Sequence, residues 1–171
     1  MTWDLTSYFA EFNGAAMVQF KTAIRADVSA LQQSAAGLPA LTAQSANGWE
    51  DILLRNEDLS RRMSHLGSYI GCLASSDARN EGYQKEEAEL SRTRAELAKV
   101  RIELLRACKS ADDKVFAAFC ARPALAGAHN YLTRLREEAR RAMTSEKEIL
   151  ATDLGIDGVQ AWGRLYDTVS A

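Results

Sequence analysis

The chain has 171 residues, a length that suits one domain. Its 47% hydrophobic and 26% charged content gives enough apolar surface to offset chain entropy, which excludes a disordered protein. With 21 basic and 23 acidic residues the formal net charge is -2, a balance that points away from nucleic acid and from anionic membranes as partners.

Only two prolines, Pro39 and Pro123, interrupt the chain, and β-branched residues rarely alternate with polar ones, so the expected class is all-α. A first helix is expected from about Gly14 to Ala36. Met17, Phe20, Ile24, Val28 and Leu31 recur there at spacings of three and four and form one stripe. Gly37 is placed to close this helix in the left-handed conformation, and Pro39 to prevent its continuation.

The second helix, about Asn47 to Ala74, carries the most regular seam. Trp49, Met63 and Ile70 occupy one heptad position, interrupted by Asn56, and Ile52, Leu59, Leu66 and Leu73 occupy the other. Such a seam packs lengthwise, as in an antiparallel helical bundle with a long helical hairpin. Ser75-Ser76-Asp77 then offers caps for a third helix, about Asp77 to Lys109, in which Tyr83, Leu90, Leu97 and Leu104 repeat every seven residues. Glu87, Arg94 and Arg101 hold the companion position, so the charged middle of this helix reads as a solvated face.

Shorter helices follow. Ser110-Ala-Asp-Asp caps Lys114 to Ala121, and Pro123 starts the next turn. A helix from about Leu125 to Met143 carries Leu132 and Leu135. Thr144-Ser145-Glu146 opens another, ended by Gly155, and Asp157 caps the last, with Val159, Trp162 and Leu165. Without repeats, low-complexity tracts or linkers, residues 1-171 read as a single helical domain.

No complete catalytic centre is expected: no catalytic, cofactor-binding or metal residue is assigned. A zinc protease helix needs His-Glu-x-x-His, and a di-iron bundle needs Glu-x-x-His. The only histidines are His65, followed by Leu66-Gly67-Ser68, and His129, followed by Asn130-Tyr131-Leu132. Arg62 and Ala126 stand three residues before them. Cys72, Cys108 and Cys120 are odd in number, lie on apolar stretches and read as small buried hydrophobes in a reducing, cytoplasmic compartment. Gly67 and Gly71, four apart within a helix, suit close helix contact rather than phosphate binding. The stretch from Ile149 to Trp162 has a faint helix-turn-helix outline, but the second helix offers mainly Gln160 and Arg164, with Asp157 and Asp167 adding repulsion, so DNA is not an expected partner. No export signal and no apolar run of ~20 residues is present, so no membrane association is expected.

Several stretches resemble, in order, the N-terminal region of the M3 family of zinc metallopeptidases, specifically oligoendopeptidase F. They are Trp3-Asp4-Leu5-Thr6-Ser7-Tyr8-Phe9, Ser64 to Leu73, Asp77 to Gln84, Ala121-Arg122-Pro123-Ala124-Leu125-Ala126-Gly127 and Trp162-Gly163-Arg164-Leu165-Tyr166-Asp167. The resemblance implies a mostly helical, cytoplasmic enzyme that cleaves short peptides in a deep cleft. Its zinc ligands and general-base Glu lie in a C-terminal catalytic region that this chain does not contain. The expectation is therefore an N-terminal, cleft-forming part, inactive alone. No cofactor is expected in this chain, zinc belonging to the parent family. Its partners would be the missing C-terminal catalytic region and, in the complete enzyme, short peptides. A free-standing helical interaction module is the alternative, and faces left uncovered would favour self-association.

Overall fold

The structure, a computed structural model, describes residues 4-170, with the side chains of Ile156 and Asp157 left aside. Trp3 of the first resembling stretch and the expected cap at Asp157 therefore lie outside the described residues and side chains. Among the described residues seven α-helices follow one another: α1 (Ala15–Gly37), α2 (Ala46–Ser76), α3 (Glu81–Ser110), α4 (Asp113–Cys120), α5 (His129–Arg141), α6 (Ser145–Asp157) and α7 (Val159–Ser170). A 3-10 helix, Pro123–Ala128, precedes α5 and begins on its proline. The all-α bundle with its long α2–α3 hairpin is as expected.

The apolar periodicity builds the core directly. Met17, Ile24, Val28, Leu31 and Ala35 are the buried stripe of α1. Trp49, Ile52, Leu59, Met63, Leu66 and Ile70 come from α2. Leu90, Leu97, Val100, Leu104 and Leu105 come from α3. Phe116, Phe119, Leu125, Leu132, Leu135 and Ala139 extend the same cluster. Phe20 and Leu73 of the expected stripes sit only partly buried at its margin.

Cross-helix pairs fix the directions. Lys21 meets Glu86 and Gln32 meets Glu96, so α1 and α3 run parallel. Gly67 lies against Leu90 and Arg94, whereas Asn56 and Ser60 share a hollow with Leu97 and Arg101, so α2 runs opposite to α3. Further along, Lys99 pairs with Asp153 at 2.8 Å, and Arg164 to Thr168 face Gln84 to Ala88. Together α6 and α7 thus run back along α3, which becomes the central helix.

Some expectations need correcting. Gly37 is the last residue of α1, Leu38 is the extended cap, and no described glycine has a positive φ, so Pro39 is what stops the helix. Ser75 and Ser76 belong to α2. The cap of α3 is Asn80, whose side chain accepts from Gly82 N at 3.0 Å and Tyr83 N at 3.3 Å. Gly155 lies inside α6, and the break falls at Gly158 (φ -91, ψ -107). A Cβ on Gly67 would meet Leu90 at 3.3 Å, consistent with close packing, but one on Gly71 would meet nothing within 4 Å.

The charged middle of α3 is not simply a solvated face. Glu86 is buried, and its Oε1 accepts from Lys21 Nζ at 2.6 Å. Glu89 pairs with Arg25, Glu96 accepts from Gln32 at 2.8 Å, and Arg101 grips Glu138 through two bonds of 2.7 and 2.5 Å. A helix surrounded on several sides turns its polar positions into connections, because a charge withdrawn from water needs a partner.

Candidate functional site

The residues with reactive side chains are dispersed. His65 is solvent-exposed on α2, its ring 4.8 Å from that of Tyr8, 5.5 Å from Phe9 and 5.7 Å from Phe20. Tyr69 closes the group at 5.1 Å from Phe9. This aromatic arrangement fastens the N-terminal segment to α1 and α2, as tilted and edge-on ring pairs do. His129 is exposed at the start of α5. Among the described residues, no three His, Cys, Asp or Glu side chains gather as metal ligands would.

Cys108 and Cys120 are buried and Cys72 half-buried, all as free thiols. Burial pushes the Cys108 thiol up to about 12, with nearby Cys120 adding to the shift and Arg136 opposing it. The Cys120 thiol is raised for the same first reason. A nucleophilic cysteine needs the thiolate, so these environments suit packing rather than catalysis. Two consequences are measurable. A thiol reagent at neutral pH should label Cys72 first, and Cys108 and Cys120 only as the chain unfolds. Above the ordinary thiol value of 9.0 the unfolded chain loses a proton that folded Cys108 keeps until about 12. The urea midpoint should therefore fall as pH rises across that window. Rapid labelling of Cys108 in the folded protein would contradict both.

A concavity among the described residues lies where α7 crosses the end of the α2–α3 hairpin. It encloses about 470 Å³, within the range of small-ligand sites. Gly71, Ala74, Ala78 and Ala88 give it a low floor, and Gln84, Glu87, Arg164 and Asp167 supply its polar wall. Burial raises the Glu87 carboxyl above its usual range, Asp167 across the hollow adds to this, and Arg164 opposes it. The sequence placed Glu87 on a seam and Asp167 on a terminal helix. Nothing local joins residues so distant, so their meeting was not legible. The hollow holds two carboxylates and one guanidinium beside the Ser75 and Thr168 hydroxyls.

No described helix is long and apolar enough to cross a membrane. In a comparison with known families, residues 109–171 match the N-terminal M3 peptidase family described as oligopeptidase F. The resemblance read from the sequence is thereby supported over α4 to α7, and two of its stretches, Ala121 to Gly127 and Trp162 to Asp167, fall inside the matched part. No curated protein and no solved structure matches the chain.

Proposed function

With residues 109–171 matching the oligopeptidase F N-terminal family, we propose that this chain acts as the cleft-forming N-terminal part of an M3 zinc oligoendopeptidase. In this reading residues 1-171 are a single helical unit, working inside the cell beside a catalytic region that carries the zinc. The family match carries the proposal. The fold supports it, since long packed helices make a stiff wall able to restrict a cleft to short, flexible peptides.

In this reading the zinc ligands belong to the catalytic region, and among the described residues no three His, Cys, Asp or Glu side chains gather as ligands. The His65 ring is engaged with aromatic neighbours, His129 lies on a different helix, and the described acids do not assemble around either. Hydrolysis would depend on the catalytic region, and this chain would position and sieve the peptide. Purified chain given zinc and a quenched-fluorescence peptide should show no turnover. Supplying an M3 catalytic region in trans should restore cleavage of short peptides. Zinc-dependent cleavage by the chain alone would overturn the reading, as would a catalytic region equally active and selective without it.

A further inference from the structure

The solvent side of α7 carries an apolar stripe with an internal symmetry. Val159 is 83% exposed, Trp162 71%, Tyr166 72% and Val169 79%. At 100° per residue these four fall within one narrow arc of the helix. The charged residues of α7, Arg164 and Asp167, line the hollow described above and lie outside that arc. Position 164 is the midpoint of the stripe, so valine answers valine five residues to either side, and tryptophan answers tyrosine two residues to either side.

A helix face that reads alike in both directions suits an isologous contact, because a two-fold axis makes residue i meet j and j meet i. We propose that α7 is a self-association surface, on which a second copy of this chain lays its own α7 antiparallel, centred on position 164. Val159 then meets Val169 of the second copy and Trp162 meets its Tyr166. Leu165, 52% exposed at the flank, lies beside its own counterpart, while Gly163 on the other flank leaves room for the rings.

The area fits such a contact. Two aromatic side chains of ~150–250 Å² each, mostly exposed, together with the two valines and Leu165, offer roughly 600 Å² per copy. Covered completely, the pair would bury at most about 1,200 Å², the lower edge of a standard specific interface. It also lies at the upper end of the contiguous apolar surface that an isolated chain leaves in water. The pairing needs no peptidase activity and does not depend on that reading.

Sedimentation velocity of the full chain across a concentration series tests it, with circular dichroism to verify folding. The wild type should show a reversible monomer–dimer equilibrium. Trp162→Glu should weaken it at least ~10-fold while leaving the far-ultraviolet circular dichroism spectrum unchanged, since the exposed indole is not part of the core. Val159→Lys should also weaken it, and adding Val169→Glu in the same chain should restore it, because antiparallel pairing sets the new lysine against the new glutamate. A wild-type chain that stays monomeric throughout would overturn the proposal, as would a Trp162→Glu variant that still dimerises. A double variant that stays weak would overturn the antiparallel register. If α7 instead serves only to meet a catalytic region, the chain alone is monomeric and associates when that region is supplied.

Discussion

Replacing Trp49 with alanine should cost about 3–5 kcal/mol, the range for deleting a large aromatic from a packed interior. Trp49 is 1% exposed, and its indole Nε1 donates to the Pro39 carbonyl at 3.0 Å. That bond ties α2 to the connection that leaves α1, where Ser45 Oγ also donates to the Ala40 carbonyl at 2.7 Å and accepts from Thr42 N at 2.9 Å. Alanine would remove the apolar volume, open a cavity beneath the α1–α2 corner and leave a carbonyl without its donor. In a chain of this length the thermal midpoint should drop by roughly 10 °C. Trp49→Phe, which keeps most of the volume and loses the donor, should cost only about 1–2 kcal/mol. Urea unfolding followed by far-ultraviolet circular dichroism separates the two. If both variants lie within ~0.5 kcal/mol of wild type, Trp49 does not organise the corner.

Trp49 also marks what the sequence made legible. Its heptad partners Met63 and Ile70, and the companion series Ile52, Leu59 and Leu66, are buried as their spacing requires. A side chain that recurs every third or fourth position has one face to hide, and periodicity reports that face. Capping was less legible. Ser75, Ser76, Asp77 and Asn80 are all residues that bond backbone amides, so chemistry alone could not choose among them. Asn80 caps α3 because α2 continues through Ser76 and the turn at Asp77 to Asn80 closes locally, with Asn80 N donating to the Asp77 carbonyl at 3.2 Å.

The terminal helices show the other limit. Val159, Trp162 and Leu165 mark an apolar face, but no periodicity says whether a face has a partner within its own chain, and α7 buries none of its residues. The hollow is similar: Glu87 and Asp167 come together only because α6 and α7 fold back along α3. The absence of an assigned catalytic residue followed from inventory, since two histidines at unsuitable spacings are countable. Which surface would form a cleft wall is a matter of tertiary placement.

Glu86 is where local patterning misled most, and where a single substitution should be felt almost as strongly as at Trp49. Its neighbours Lys85 and Glu87 made it one more charge on a polar stretch, yet it is 6% exposed, and its partner Lys21 stands 65 positions away on α1. Lys21 is itself largely covered and also donates to Asn13 Oδ1 at 3.0 Å, whereas Glu86 Oε2 has no hydrogen-bond partner. Removing the ammonium strands a carboxylate in a low-dielectric site, so Lys21→Met should cost about 3–5 kcal/mol. Glu86→Leu should cost less, because Lys21 keeps Asn13 and can carry its head toward water on a flexible stem. The double variant Lys21→Met/Glu86→Leu should return to within ~1 kcal/mol of wild type, or exceed it, since the unsatisfied oxygen and both desolvation costs disappear together. A double-mutant cycle by urea unfolding reads this as a coupling of more than ~2 kcal/mol between the sites. Additive effects of under ~1 kcal/mol each would instead mean that the pair behaves as an ordinary solvated surface bridge, and that α3 could shed it without consequence.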